Sequence, residues 1–421
     1  MHTLTVKLKQ HTPLIHFQHD QEGATLRASE VKPKLDKFIL NKLTPSEIVE
    51  GKNAGWIKTK NDKVWLDYKM RIEDHRVEVW DMTRETGRIN NRTGKPITES
   101  IPLFFGNMHK KDEVNFVPKK MVFAPIPFNL IIQSTYDKII EFMNTFLSSF
   151  FLHHNFGTRQ SKGFGSYMLE TFSAPHKSEK GFAKFNWALP RNNSFGTLGC
   201  YYDLFAAIDF FYKTLRSGIN QNNVYFKSLM YFYALDLNEY WDKRTIRYEF
   251  GHFTTSRYTD KGENADLEND GNHNKAKSKL YRDMLGLSSI QTWKSYNDTI
   301  SKDHMPVNPD DKIDRFKSPI LIKPIYINGS FDVYLIPSSI PNIYLNAKFA
   351  INSANTGSSF DMNTPAQFDV KDFLSYITDP GIVSSIQNML EENLSKNRNN
   401  KTAQKIVNTL LSIYKNIQYV E

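Results

Sequence analysis

A glycine-rich stretch carries the clearest chemical signal in this sequence. Residues 153–167 read HHNFGTRQSKGFGSY and combine three glycines, two basic side chains and three aromatic rings: Gly157, Gly163, Gly165, Arg159, Lys162, Phe156, Phe164 and Tyr167. Glycine lets a backbone approach a phosphate closely, the basic side chains supply positive charge, and the rings can stack on bases. The stretch therefore predicts either a loop that binds RNA or a tight turn with a purely structural role.

Two nucleotide-binding motifs are excluded by the order of residues in this stretch. A P-loop ends in glycine, lysine and then serine or threonine, whereas Lys162 is followed by Gly163. The dinucleotide fingerprint lies between a strand and a following helix, whereas this stretch follows a predicted helix and precedes a predicted strand. The sequence thus predicts no nucleotide cofactor.

Histidines form a second group of candidates for catalysis. They lie in or beside the loop after the first predicted strand, together with one aspartate, and directly before the glycine stretch: His11, His16, His19, Asp20, His153 and His154. A histidine can accept the 2′-hydroxyl proton during RNA cleavage while a lysine stabilises the developing charge. Histidines in polar loops also occur without a catalytic role. The spacing of these residues matches no metal-binding motif, so we predict neither a metal site nor a cofactor.

Hydrophobic periodicity predicts the elements that position these groups. Leu4, Val6 and Leu8 alternate with polar residues, which is typical of a strand. A helix is predicted to follow, with Ser29 as its N-cap and Pro33 in its first turn. A second helix precedes the glycine stretch, and its apolar face consists of Ile139, Phe142, Met143, Phe146, Leu147 and Phe150.

The order of predicted elements indicates an α+β fold with two domains. Residues 1–175 fit the order β-α-β-β-α-β of a ferredoxin-like (RRM-like) domain, with an insertion at about 44–120. Residues 176–421 contain long aromatic helical segments and a hairpin turning on NGS at 328–330. We interpret this half as a helical segment with a second, degenerate ferredoxin-like domain.

Composition restricts the partners and the compartment. The 54 basic residues outnumber the 45 acidic ones, and the net charge of +9 favours a polyanionic partner. The only cysteine, Cys200, excludes a disulfide framework and a cysteine-based zinc site, which fits a reducing compartment. The sequence shows neither an apolar signal segment nor an apolar run of roughly 20 residues. We therefore predict a cytoplasmic protein without a membrane partner.

Four segments, in the same order along the chain, resemble the RAMP superfamily of CRISPR-associated proteins. FGTRQSKGFGSY is similar to its glycine-rich loop, with the pattern G-x-R-x-x-x-G-F-G-S, and LKQHTPLIHF followed by LRASEVKPKLDKFI resembles its first strand and helix. LFFGN at 103–107 and DRFKSPILIKP at 314–324 resemble segments of the head-end subunit of type III-B (Cmr) effector complexes.

The resemblance implies a function in antiviral defence. The chain would bind guide RNA (crRNA), and possibly target RNA, inside a type III effector ribonucleoprotein, with other RAMP subunits as partners and without catalytic activity. Mapping the superfamily motifs onto this sequence gives the implied RNA-binding residues, which are Arg27, Ser29, Lys32, Lys34, Gly157, Arg159, Lys162, Gly163, Phe164 and Gly165.

Nuclease functions remain alternatives. The chain can be an endoribonuclease that processes CRISPR precursor RNA through a histidine, for which His16, His19 and His153 are candidates. It can also be a backbone RAMP subunit that cleaves target RNA through Asp20 and a divalent metal. A further alternative is an RNA-binding protein unrelated to CRISPR.

Overall fold

A computed structural model describes most of the chain: residues 1–16, 25–90, 93–102, 120–177, 179–190, 193–252, 277–293 and 296–421, except the side chains at positions 84 and 86–88. His19, Asp20 and the LFFGN segment lie outside these residues. The described part has a mixed α+β fold, as predicted. Among its helices, none is both long enough and apolar enough to cross a membrane.

Elements up to residue 169 build the first sheet and several hairpins. In chain order they are β1 (His2–Gln10), α1 (Ala28–Leu40), α2 (Pro45–Ala54), β2 (Ile57–Lys60), β3 (Lys63–Leu66), β4 (Lys69–Ile72), β5 (Glu78–Asp81), β6 (Thr83–Ile89), β7 (Pro96–Ser100), β8 (Lys120–Phe123), β9 (Phe128–Ser134), α3 (Asp137–Leu152) and β10 (Tyr167–Leu169). The first sheet has the antiparallel order β10-β1-β9-β4. Within residues 44–120, β4 joins this sheet, while β2–β3 and β6–β7 pair as separate hairpins.

The apolar faces predicted from the sequence lie in the core behind this sheet. Leu8 of β1 is fully buried, and Leu4 and Val6 pack against the same hydrophobic cluster. The predicted apolar residues of α3 belong to this cluster or pack against it: Ile139, Phe142, Met143, Phe146, Leu147 and Phe150. Both periodicity predictions are therefore confirmed.

The predicted start of α1 is wrong in detail. The backbone carbonyl of Arg27 accepts hydrogen bonds from the N–H groups of Glu30 and Val31, so Arg27 is the N-cap, and its side chain makes no capping bond. Ser29 consequently lies inside the first turn, where its side chain is exposed. Because the helix begins earlier than predicted, Pro33 lies in its second turn and not in its first.

The described part of the second half contributes two larger sheets, of four and six strands, and two two-stranded sheets. Its elements are β11 (Phe182–Ala188), α4 (Leu198–Arg216), β12 (Ile219–Gln221), β13 (Val224–Phe226), α5 (Leu229–Asp236), β14 (Tyr240–Trp241), α6 (Asp242–Glu249), β15 (Ser278–Lys279), α7 (Tyr281–Met284), β16 (Leu287–Ser288), β17 (Ile290–Trp293), β18 (Asp298–His304), β19 (Arg315–Phe316), β20 (Ile320–Ile327), β21 (Ser330–Pro337), β22 (Lys348–Ser353), β23 (Ser359–Asn363), α8 (Val370–Thr378), α9 (Pro380–Lys396), α10 (Lys401–Tyr414) and β24 (Gln418–Val420). The predicted hairpin on NGS is confirmed as β20–β21.

The second sheet repeats the strand order of the first. Its antiparallel order is β20-β21-β11-β24. When the four strands of each sheet are counted along the chain, both sheets read fourth, first, third, second across the sheet. In the first sheet α3 lies between the third and fourth strands, and in the second sheet α8, α9 and α10 lie there.

The second sheet is buried on both faces, and its two faces pack against different cores, one in each half of the chain. Alternate residues of β21 point to opposite sides, as in any strand. Val333 and Leu335 belong to the core that includes α4 and α10. Tyr334 and Ile336 belong to the core of the first sheet. Because the two halves share buried surface in this way, residues of β20 and β21 can support the loops of the first half.

A third sheet and a buried charge cluster complete the second half. The sheet has the order β14-β15-β23-β22-β18-β17 and its own hydrophobic core. Beside that core, three cations and two carboxylates lie together with little or no exposure: Arg216, Arg282, Lys302, Asp242 and Asp283. These residues come from α4, α6, α7 and β18, so the cluster connects the third sheet to the helices of the second.

Candidate nucleic-acid interface

The glycine stretch is locked against the segment that follows β1. The Thr12 hydroxyl donates a hydrogen bond to the Gly163 carbonyl at 2.6 Å and accepts one from the Ser166 N–H at 2.9 Å. The Gly165 N–H donates to the Pro13 carbonyl at 2.8 Å. The two segments with the strongest family resemblance, HTPL and the glycine stretch, therefore form one structural unit.

The close approach of the two segments requires glycine at positions 157 and 165. Gly157 has φ +75°, and a Cβ atom on it would lie 2.5 Å from the Ile15 carbonyl oxygen. Gly165 has φ +66°, and its Cβ would lie 2.1 Å from the Phe156 carbonyl oxygen. Both values are far below any real contact, and the left-handed conformation itself disfavours other residues. These glycines shape the loop.

The side chains of Lys162 and Phe164, both predicted to bind RNA, are buried in the structure. Phe164 is fully buried and stacks on Phe205 of α4, with ring centroids 3.8 Å apart. The Lys162 ammonium lies 3.2 Å from the Tyr212 ring centroid and has no hydrogen-bond partner among the described residues, and burial lowers its pKa well below the usual value. Both side chains point into the second half because α4 offers an aromatic surface there, so neither is available to RNA in this conformation.

Arg159, in the same loop, is less buried than Lys162. It has φ +59° and is partly exposed. Burial of part of the side chain lowers the pKa of its guanidinium to about 10, so it stays charged at neutral pH. A partly desolvated cation gains more from a phosphate than a fully hydrated one, because water competes less for the charge. Arg159 is therefore the best placed of the loop cations to bind an anion.

The start of α1 lies directly beside this loop. The Gly157 N–H donates a hydrogen bond to Glu30 Oε1 at 2.9 Å. The Lys34 ammonium donates to the same oxygen at 3.0 Å and to Gln160 Oε1 at 3.2 Å. The arrangement brings the predicted residues Arg27, Ser29, Lys34, Gly157 and Arg159 into one region. We call residues 27–34 and 157–160 the loop–helix surface.

Lys32 lies on a different side of α1 from Lys34. Its ammonium donates to Asp36 at 3.0 Å and to the Leu66 carbonyl at 3.0 Å, and it lies 3.7 Å from the Tyr68 ring centroid. Burial raises the pKa of Asp36, and Lys32 opposes this rise. Lys32 thus fastens α1 to the strands beside it, and the structure does not bring it to the glycine stretch.

His153 and His154, directly before the loop, contact the last turn of α3. His153 Nδ1 is 2.8 Å from the Ser149 carbonyl oxygen, and Nε2 is 3.4 Å from a Glu179 carboxylate oxygen. His154 Nδ1 is 2.8 Å from the Phe150 carbonyl oxygen, and burial lowers its pKa to about 4. Both rings therefore cap the end of α3.

His11 and His16 are both buried, and His16 lies near Arg27 and Glu30 of the loop–helix surface. His11 Nδ1 accepts a hydrogen bond from the Tyr326 N–H, which assigns the neutral ring with its proton on Nε2. Burial and, to a lesser extent, the positive charge of Arg27 lower the pKa of His16. The described residues contain no cluster of three or more potential metal ligands.

Several residues that hold the loop were missed by sequence reasoning. The Asn155 amide donates to the Ile322 carbonyl at 2.8 Å, and the buried Lys323 ammonium donates to the His154 and Tyr167 carbonyls, both at 2.9 Å. No local pattern signals these bonds, because their partners lie about 160 residues apart in the chain. Glu30 had a usable signal, since it precedes Lys34 by four residues on a helix.

Comparison with known families assigns the whole chain. Residues 1–219 match the family model of the Cmr1 N-terminal domain, and residues 225–409 match that of the Cmr1 C-terminal domain. No curated protein matches the chain. The two family matches agree with the RAMP resemblance of the glycine stretch and of the segment after β1. The chain therefore belongs to the Cmr1 family of CRISPR RAMP proteins, which are subunits of the type III-B Cmr effector complex.

Proposed function

We propose that the chain binds guide RNA within the Cmr complex, through the loop–helix surface. The observation that carries this proposal is the position of Arg159, a charged and partly exposed residue on a loop whose shape depends on close-packed glycines. Arg27 and Ser29 are exposed beside it and add a positive charge and a hydroxyl group to the same surface. Other subunits of the complex are the proposed protein partners.

The strand orders support a ferredoxin-like fold for both halves. The order fourth, first, third, second, with helices between the first and second and between the third and fourth strands, is what a β-α-β-β-α-β unit produces. We propose one such unit in residues 1–175, in which β4 is the second strand and the rest of residues 44–120, on either side of β4, is inserted. Residues 176–421 form the second, degenerate unit, into which the third sheet is inserted.

Contacts at this surface would be made to the RNA backbone. In a guide–target complex, base pairing carries the sequence information, and the protein reads geometry and charge. The net charge of +9 favours approach of a polyanion. Phe156 and Phe164 are fully buried, so stacking of bases on these rings contributes nothing in this conformation.

Two substitutions in one loop test the proposal. Arg159→Ala is expected to weaken binding of a crRNA roughly tenfold, because one charged contact is lost. The slope of log affinity against log salt concentration is expected to become shallower by about one. Lys162→Met is expected to keep the affinity within about twofold and to leave the melting temperature unchanged or higher, because it removes a buried amino group that has no hydrogen-bond acceptor in the described part of the chain. Fluorescence anisotropy at several salt concentrations measures both affinities.

Gel analysis of the RNA after incubation with the protein distinguishes binding from cleavage. We expect bound RNA to remain intact with and without magnesium. Cutting that persists in EDTA and disappears in His16→Ala would support the histidine nuclease, whereas magnesium-dependent cutting lost in Asp20→Asn would support a backbone subunit. The binding proposal is wrong if Arg159→Ala leaves the affinity unchanged, or if Lys162→Met weakens binding as much as Arg159→Ala does.

A further inference from the structure

The Glu30 carboxylate occupies a position suited to an anion from a ligand. Its Oε1 atom accepts hydrogen bonds from the Gly157 N–H at 2.9 Å and from the Lys34 ammonium at 3.0 Å. A backbone N–H of a glycine loop together with a lysine is a common donor set for phosphate oxygens. The side chain of Glu30 is 14% exposed, so solvent lies close to the carboxylate.

This internal contact leaves the carboxylate poorly satisfied. The Oε2 atom of Glu30 is buried and has no hydrogen-bond donor within the described part of the chain. A carboxylate can accept about four hydrogen bonds, and a buried acceptor without a donor costs free energy. The pair also neutralises Lys34, which removes one positive charge from the loop–helix surface.

The loop keeps its shape through other contacts. The Gly165 N–H bonds to the Pro13 carbonyl at 2.8 Å, and the Thr158 N–H bonds to the Ile15 carbonyl at 2.7 Å. The Thr12 hydroxyl adds its two bonds to the loop. Since none of these contacts involves Glu30, its carboxylate can leave without releasing the loop from the segment after β1.

We propose that Glu30 is an internal competitor of an RNA phosphate and sets the affinity of the loop–helix surface for RNA. An arriving phosphate oxygen takes the Gly157 N–H and the Lys34 ammonium, and the Glu30 carboxylate turns outward to water. This inference rests on the proposed RNA-binding function. In the free chain, Glu30 thus selects against weak anions, because each must displace a carboxylate that is already bound.

A double-mutant cycle tests the competition. Glu30→Gln keeps an oxygen that accepts from the Gly157 N–H but removes the negative charge. We expect it to raise the affinity for single-stranded RNA about tenfold and to increase the salt slope by roughly one. Lys34→Met is expected to change the affinity less than about threefold in the natural chain, and to abolish the tenfold gain in the Glu30→Gln background.

Glu170→Gln is the matched control for charge alone. Glu170 also pairs with a lysine, its carboxylate lying 3.6 Å from the Lys7 ammonium, but it lies just after β10 and outside the loop–helix surface. We expect this variant to change RNA affinity less than about twofold. The inference is overturned if Glu30→Gln binds RNA no better than Glu170→Gln, or if the gain persists when Lys34 is replaced.

Thermal unfolding with inorganic pyrophosphate separates this inference from the proposed function. If pyrophosphate stabilises the Glu30→Gln variant more than the natural chain while no variant binds RNA, the competition holds and the RNA function fails. If the natural chain and Glu30→Gln bind RNA equally, the RNA function holds and the competition fails. If neither RNA nor pyrophosphate binds any variant, both are wrong.

Discussion

Replacing Gly165 by alanine is expected to unfold the glycine stretch and to abolish RNA binding. The new Cβ would lie 2.1 Å from the Phe156 carbonyl oxygen, and this backbone atom cannot move without breaking the loop. The residue would also keep φ +66°, which an alanine adopts only at a cost. We expect the free energy of unfolding to fall by at least about 4 kcal/mol, measured by chemical denaturation.

Gly357→Ala is the control that isolates the backbone conformation. Gly357 has φ +67°, almost the same value, but a Cβ on it would meet no described atom within 4 Å. This variant should lose only about 1 to 2 kcal/mol, the cost of the left-handed conformation alone. Equal losses in the two variants would mean that the close packing of the glycine stretch has no energetic importance.

Asp283→Asn is expected to destabilise the second half by about 3 to 5 kcal/mol, the range for removing one partner of a buried ion pair. The fully buried Asp283 carboxylate contacts the Lys302 ammonium and lies 3.5 Å from the Arg216 guanidinium. Burial already lowers the pKa of Lys302, and Asp283 opposes this effect. Without that carboxylate, Arg216 loses its ion pair with Asp283, and Arg282 and Lys302 both depend on the carboxylate of Asp242.

The surface pair of Lys348 and Asp361 provides the comparison for this prediction. Their charged atoms lie 2.8 Å apart, but the side chains are 48% and 46% exposed. Asp361→Asn should therefore cost between about 0 and 1 kcal/mol, since water screens the lost charge. If chemical denaturation gives the same loss for both variants, the buried cluster does not hold the third sheet to the helices of the second.

The local elements could be predicted from the sequence because their signals are local. The alternation in β1 and the apolar face of α3 depend on side chains a few residues apart, and both lie in the core as expected. The hairpin on NGS likewise follows from turn residues between two apolar strands. The predicted start of α1 was wrong because Ser29 is a preferred N-cap residue by type, whereas the helix begins two residues earlier, where the Arg27 carbonyl accepts the first helical hydrogen bonds.

The directions of side chains in the glycine stretch could not be predicted. Lys162 and Phe164 have the residue types of an RNA-binding loop, yet both turn toward Tyr212 and Phe205 of α4. That choice depends on an aromatic surface from the second half, which no pattern within the loop reveals. The six-stranded sheet was not predicted for a related reason. Two of its strands, β14 and β15, contain only two residues each, and β15 pairs with β23, which lies far away in the chain.

The position of RNA on the assembled protein is the most direct test of this account. A crRNA carrying photoreactive 4-thiouridine would be assembled with the chain and the other Cmr subunits, irradiated and digested. The cross-linked peptides would then be identified by mass spectrometry. We predict cross-links in residues 25–34 and 157–161, which contain the loop–helix surface. Cross-links confined to the third sheet, or none to this chain, would contradict the proposal that it binds guide RNA there.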